Sequence, residues 1–301
     1  MKTKVIVASS SSFFALPSEY ALKYKDIDVV SLSFIDCNGD MVLEDENLDT
    51  RSYYNDDVKN ERRKNPSLSL PDPIALERYY LNFAVKKYTD ILVVVPSKDI
   101  SGLYNTMKLV GNMVRDKIKV TVFDCGSFGP TELYFAIHAF ETLKTKKIQE
   151  VVDELKYMTN VQETRMVTRF SHTFDYEEDL KENAFLLPAK RGYSFLLNNK
   201  GSLEYCDNPR NISKALENMW QHYVAAANSM NKKEFVSFVF YTGSSLLPYS
   251  RKIAIKEFGV PILNEFTVFP SLGNRIGNFA IGYTIIKLPK NAAKYLDVLI
   301  C

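Results

Sequence analysis

The 301-residue chain is poor in the residues that most often do chemistry, with three histidines, four cysteines and one tryptophan. Cys37, Cys125, Cys206 and Cys301 are scattered, with no CxxC pair and no histidine at ligand spacing. That excludes a disulfide framework and a zinc site and points to reduced thiols in a reducing compartment. Charge of one sign is also lacking: the net charge is +2, with 25% charged residues, so no strong electrostatic partner is implied and nucleic acid is not expected as a ligand. The nearest approach to a basic patch, Lys59 to Lys64, is interrupted by Glu61 and carries no aromatic residue, as in a solvated loop or helix face. No apolar run reaches the roughly 18 residues of a membrane span. The amino terminus has two lysines but no long apolar stretch or small-residue cleavage site, and a cytoplasmic chain is the expectation. There is no G-x-x-x-x-G-K loop and no G-x-G-x-x-G after the first strand, so no cofactor is expected.

What the chain does have is four apolar, strand-like runs that each break off into small hydroxyl residues. Val5 to Ala8 leads into Ser9, Ser10, Ser11 and Ser12; Ile91 to Val95 into Ser97 and Ser101; Val120 to Phe123 into Ser127; Val236 to Phe240 into Thr242, Ser244 and Ser245. In open α/β sheets ligands sit beyond the carboxyl ends of the strands, so these clusters would line one crevice with hydroxyls and backbone amides suited to an anionic group. Serine and glycine also serve the tight strand-to-helix turns of any α/β protein, and that reading stands beside the first.

The first half alternates strand candidates (Val5 to Ala8, Val29 to Phe34, Ile91 to Val95, Val120 to Phe123) with amphipathic stretches, the order that builds a parallel sheet covered by helices. Leu103, Met107, Val110 and Val114 recur at helical spacing, as do Leu133, Ile137 and Phe140 after Pro130, and Ile148, Val151, Val152, Leu155 and Met158 close the unit near residue 160. Asn38, Gly39 and Asp40 mark a hairpin turn. In the second half, Tyr193 to Leu197 and Leu203 to Tyr205 flank a turn as an antiparallel hairpin. A long helix is predicted from Pro209 with Asn208 as its cap, then a strand over Val236 to Phe240, a helix ending at Gly259, a strand over Ile262 to Phe266, and a last strand from Asn278 to Ile286. The expected architecture is a two-domain α/β fold: a parallel-sheet domain over residues 1–160, a smaller α/β domain with hairpins over 161–301, and a ligand between them. The charged stretch from Asp175 to Lys190 fits no element.

Cys125, just past a strand, stands where nucleophiles are presented, but the G-x-S-x-G elbow is absent because Cys125 occupies its first glycine position. His138 and His222 fall within predicted helices, leaving His172 as the candidate base. Gly273 and Gly277 in LGNRIG precede a strand and suit a bend or close backbone approach. Arg210, placed in the first turn of the long helix, would sit where the macrodipole disfavours a cation, as if held there by another anion or else extended into solvent.

Taken in order, several of these pieces resemble the DegV family of bacterial fatty-acid-binding proteins: the hydroxyl-rich strand end with Leu16 and Pro17; Pro66 to Pro71 (PSLSLP), where the family carries a Pro-Thr-Thr-Ser-Gln-Pro-like run; Ser101 and Gly102 before Tyr104; Asp124 and Ser127; Arg210 with Lys214, Ala215 and Leu216; and Gly277 with Phe279 to Tyr283 (FAIGY). The resemblance implies a non-enzymatic protein that encloses one long-chain fatty acid between its domains and serves as the acyl-carrying subunit of a fatty acid kinase. With the hydroxyl-rich strand ends, the expected ligand-binding set is Ser11, Ser12, Ser69, Ser101, Ser127, Arg210 and Gly277, and the resemblance implies that Ser101 and Arg210 hold the carboxylate. The chain departs from the pattern where Leu68 replaces a threonine, where Leu272 or Gly273 stands in place of a late histidine, and where Ser10 or Ser11 replaces an acidic residue. The family's Gly-Gly-Arg-Ile stretch is not recognisable near residues 183–195. An acyl hydrolase or acyltransferase using Cys125, and a scaffold whose pocket is filled by its own side chains, are the alternatives.

Overall fold

The computed structural model describes residues 2–36, 38–59, 67–168, 193–198, 201–207, 211–231, 234–243, 245–261, 263–277, 279–290, 292 and 295. Two larger sheets organise them. Strands β1 (Thr3–Ala8), β2 (Asp28–Val30), β6 (Asp90–Val95) and β7 (Lys119–Asp124) form an all-parallel sheet in the order β2-β1-β6-β7. Strands β8 (Gln162–Thr168), β9 (Tyr193–Leu197), β10 (Leu203–Asp207), β11 (Phe235–Tyr241), β12 (Asn264–Thr267) and β13 (Ile281–Lys287) form a six-stranded sheet, β10-β9-β8-β13-β11-β12, in which only the β11–β12 pair is parallel. A small antiparallel sheet, β4-β3-β5, comprises β3 (Ser33–Ile35), β4 (Met41–Leu43) and β5 (Ser67–Ser69).

The two-residue period of a strand decides which layer each side chain joins. On the parallel sheet, Ile6, Ala8, Ile91, Val93 and Val95 face one way, against Leu76, Tyr80 and Phe83 of α3 (Pro73–Val85) and Leu103, Met107 and Val110 of α4 (Leu103–Met113). Val5, Val7, Leu92 and Val94 face the other way, against Tyr20 of α1 (Ser18–Lys23), Leu133 to Ile137 of α5 (Pro130–Thr142) and Val151 and Leu155 of α6 (Ile148–Asn160). That same cluster takes in Val236, Phe238, Phe266 and Ile286 of the six-stranded sheet, so α5 and α6 form a middle layer shared by both sheets. The far face of the second sheet, with Val167, Val239 and Tyr283, is covered by Leu216, Met219 and Trp220 of α7 (Ile212–Asn228) and Ile253 and Ala254 of α8 (Leu247–Phe258).

Several expectations are corrected. Val29 to Phe34 is not one strand: it divides into β2 and β3, which belong to different sheets, because the chain turns at Leu32, whose N–H donates to the Ser9 hydroxyl. The long helix starts at Ile212, not Pro209, since Asn211 rather than Asn208 is the cap and accepts from the Lys214 N–H at 2.8 Å. Arg210 therefore precedes the cap, which removes the macrodipole argument, and it lies outside the described residues, as do His172 and the stretch from Asp175 to Lys190. LGNRIG is helical: α9 (Pro270–Ile276) ends at Gly277, whose φ of 102° is a glycine conformation. The final strand accordingly begins at Ile281 rather than Asn278, and β12 begins at Asn264 rather than Ile262. The hairpin turn at Gly39 (φ 92°), the β9–β10 hairpin and the left-handed cap at Gly259 are as expected.

Candidate binding crevice

The loops beyond β6 and β7 touch one another, and the loop beyond β1 reaches the second half. Beyond β1 the chain makes a 3-10 turn, Ser9–Ser11, and then a left-handed step at Ser12 (φ 65°). Beyond β6, the Ser97 N–H donates to the Ser127 carbonyl beyond β7 at 2.7 Å, and the Ser101 N–H closes the following turn on the Ser97 carbonyl at 2.9 Å. Leu70, next to Ser69, packs close to Gly102, where a Cβ would come within 3.2 Å of its side chain. The second half closes over these loops. Ser12 donates to the Thr267 carbonyl at 2.8 Å, Ser202 donates to Asp99, and Gly201 (φ 83°) rests on Ser97, with no room for a Cβ. Gly277, farther along, offers its carbonyl to the Thr242 hydroxyl.

Most of the hydroxyls are already occupied. Ser127, Thr131, Thr284 and Thr164 form a closed ring of hydrogen bonds of 3.3, 3.1, 2.9 and 3.2 Å, in which each hydroxyl can donate once and accept once. The ring joins the start of α5 to β8 and β13 and satisfies four buried hydroxyls without a ligand. Ser101 accepts from the Leu103 N–H at 3.3 Å and Ser97 from the Asp99 N–H at 3.2 Å. Ser11 differs: its hydroxyl is buried and has no hydrogen-bond partner among the described residues.

Two wholly buried acids occupy the region, and neither was among the residues expected there. Glu44 follows β4 and is wholly buried; it accepts from the Ser9 hydroxyl at 2.7 Å, the Ser271 N–H at 2.5 Å and the Ser271 hydroxyl at 2.8 Å. It thus pins the end of β1 to the first turn of α9, where it takes the Ser271 N–H while the Leu272 and Gly273 N–H groups donate to the Phe269 carbonyl. Burial outweighs these hydrogen bonds and pushes its carboxyl up to about 7. Glu132, in the first turn of α5, accepts from the Ala8 N–H at 3.2 Å and the Ser10 hydroxyl at 3.1 Å; burial, with Glu44 adding repulsion, holds its carboxyl well above the ordinary range. Glu132 supplies from a helix the acid that the strand end itself lacks. The P-T-E sequence after the β7 turn was its only signal, and nothing in the sequence placed Glu44.

Behind the hydroxyls lies an apolar cluster drawn from both halves: Ile100, Phe128, Met166, Phe195, Phe240 and Leu272 are each at most 5% exposed, and Phe128 and Phe240 meet edge-on at 4.9 Å. The 3-10 turn that carries Ser11 touches α9, which contributes Leu272 to this cluster. Cys125 is wholly buried, and burial, followed by Glu132 and Asp124, pushes its thiol well above its ordinary range, the reverse of what a nucleophile requires. His138 is buried between α5 and α6 and pairs with Glu154 at 3.2 Å, the arrangement of a core histidine.

The model of the DegV family, described as uncharacterised proteins, matches residues 2–172, more than half of the chain. This chain belongs to the DegV family. Among solved structures, the DegV fold seen here superposes on a fatty-acid-binding DegV family protein from Thermus thermophilus with a TM-score of 0.78 at 18% identity, covering 96% of this chain and 100% of the other. A fatty-acid-binding DegV family protein from Streptococcus agalactiae gives a TM-score of 0.79 at 15% identity, covering 96% and 100% of the two chains. DegV from Bacillus subtilis, also a fatty acid binding protein, gives 0.76 at 19% identity, with 95% and 99% covered. No curated protein matches the sequence. Among the described residues, no helix of this DegV chain is long and apolar enough to cross a membrane, and no cluster of side chains suits a metal ion.

Proposed function

We propose that this DegV protein binds one long-chain fatty acid without turning it over, with the acyl chain between the two halves and the head group among the strand ends. The observation that carries the reading is the unpartnered hydroxyl of Ser11, whose turn contacts the helix that supplies Leu272 to the apolar cluster. A buried hydroxyl left without a partner costs about 1–3 kcal/mol, a cost that a ligand head group would remove. We place the division between the halves near residue 160: every strand of the parallel sheet precedes residue 125 and every strand of the six-stranded sheet follows residue 161. Burying a dozen methylenes at about 0.8 kcal/mol each offers on the order of 10 kcal/mol before ordering costs, so the tail dominates affinity and the head tunes it. Ser12, Ser69, Ser101, Ser127, Arg210 and Gly277 belong to the proposed site with Ser11. Cytoplasmic residence and presentation of the acyl carboxyl to a fatty acid kinase subunit are parts of the same proposal.

The second reading, a scaffold filled by its own side chains, draws on the low exposure of the apolar cluster and on the hydroxyl ring. Comparing the native and denatured masses of protein purified from a bacterial host separates the two. A mass difference equal to one fatty acid supports binding; no difference, together with no heat stabilisation by palmitate or oleate, supports the scaffold.

A further inference from the structure

On the opposite face of the six-stranded sheet, away from the hydroxyls, a cleft of about 60 Å³ opens between α7 and strands β8, β9 and β10, with Arg165, Ser194, Cys206, Asn218 and His222 on its walls. The strand period explains why polar groups meet there. Thr164 and Met166 point to the crevice side of β8, which turns Arg165 and Val167 toward α7, and Ser194 pairs in register with Val167. Asn218 and His222 are four residues apart and share one face of α7.

Two features of the cleft call for an acceptor. The Ser194 hydroxyl is buried and without a hydrogen-bond partner among the described residues. Arg165 donates from Nε to Glu163 at 2.9 Å, which uses one of the five donors of its guanidinium. The positive charge of Arg165 also reaches His222, whose pKa is lowered first by desolvation and then by Arg165, with Glu163 opposing. A volume of 60 Å³ exceeds the roughly 10–15 Å³ a single water needs but is far short of an acyl chain. Arg165 and Ser194 border the cleft from adjacent strands and His222 borders it from α7, so an acceptor there is met from both the sheet and the helix, which suits a phosphoryl group, whose oxygens point to several sides, more than a flat carboxylate.

We propose that this cleft is a second binding site of the protein, independent of the acyl site, that takes a phosphoryl group through Arg165, Ser194, Asn218 and His222. An anion held there would offset the charge of Arg165, and binding would therefore raise the pKa of His222. The charged and titratable groups facing His222 are Arg165 and Glu163 on β8 and Cys206 on β10.

The test is a titration of the full chain with inorganic phosphate, glycerol 3-phosphate, acetate and chloride at matched ionic strength, read on the imidazole NMR signals. His222→Gln assigns the signal. The expected result is a saturable shift with phosphate and a raised His222 pKa at saturation. Glycerol 3-phosphate binding as tightly as phosphate would identify an esterified phosphoryl group as the ligand, and phosphate alone a free ion. Arg165→Ala should weaken binding by about tenfold or more and Ser194→Ala by a few fold, each loss reflecting charge-assisted hydrogen bonds. Should Arg165→Ala not fold, Arg165→Lys, which keeps the charge and loses the fork, should also bind more weakly. The proposal is overturned if His222 responds equally to phosphate, acetate and chloride, if it does not respond at all, or if Ser194→Ala and the Arg165 variant bind phosphate as well as the parent.

Discussion

A carboxyl with no exposed surface and three hydrogen-bond donors is pulled both ways, and at Glu44 burial wins. Its folded-state pKa of about 7 lies above the ordinary value of 4.5, so the folded chain holds a proton that the unfolded chain releases. The resulting stability is present in full below about pH 4.5 and is lost as pH rises through about 7. Glu132 acts in the same direction. Urea unfolding should therefore give a lower stability at pH 8 than at pH 5.5, by on the order of a few kcal/mol, and Glu44→Gln should flatten part of that slope. An unchanged slope in Glu44→Gln would mean that Glu44 is ionised at both pH values. At Gly273 two effects compete. Alanine is favoured over glycine within a helix by about 1 kcal/mol. A Cβ at that position, however, would lie 1.8 Å from the Tyr54 hydroxyl, which donates to the Val268 carbonyl at 2.6 Å. Overpacking costs typically about 1–3 kcal/mol, so Gly273→Ala should destabilise. Its midpoint of unfolding rising instead would show that Tyr54 moves freely.

At the scale of elements, the β9–β10 turn is a contact that one added carbon would disturb. Gly201 has φ 83° and a Cβ there would lie 2.3 Å from Ser97 Oγ, so Gly201→Ala meets both backbone strain and a clash. Together these should cost about 2–4 kcal/mol and loosen the closure of the second half on the Ser97 loop, measurable as faster amide exchange at Ser97 to Ser101. The same turn illustrates what was legible beforehand. Hairpin strands, the parallel strands β1, β6 and β7 and the helices at 103–113, 130–142 and 148–160 follow from local periodicity, and the left-handed cap at Gly259 follows from the glycine itself. The misread elements are those decided by distant partners. Two asparagines, Asn208 and Asn211, compete on equal terms as caps in sequence, and the Lys214 N–H settles the choice. LGNRIG carries two glycines and becomes helical because Glu44, far away in the chain, takes the N–H and hydroxyl of Ser271. The crevice was legible as a set of hydroxyl-rich strand ends. Its acids and its closed hydroxyl ring were not, since Thr131, Thr164 and Thr284 share no spacing and meet only through the packing of both sheets on α5.

For the whole molecule, the decisive question is whether the apolar cluster between the halves gives way to an acyl chain. Phe128 and Phe240 are at most 1% exposed and pack edge-on, one from the first half and one from the second, so truncating Phe128 should open a cavity between them. In lipid-free protein, Phe128→Ala should cost about 3–5 kcal/mol, the usual range for losing a buried aromatic ring. A fatty acid entering the same space would refill it at about 0.8 kcal/mol per buried methylene. Ligand at a hundredfold excess over its dissociation constant stabilises any binding-competent protein by about 2.7 kcal/mol. Palmitate should therefore raise the unfolding midpoint of the parent chain and recover a larger share of the stability lost in Phe128→Ala, because the cavity relieves the need to displace a ring. Recovery in the variant with none in the parent would describe a protein that has closed its pocket with its own side chains and can be reopened by one substitution. Recovery in neither would place the acyl chain, if the protein holds one, outside the cluster that Phe128 and Phe240 share.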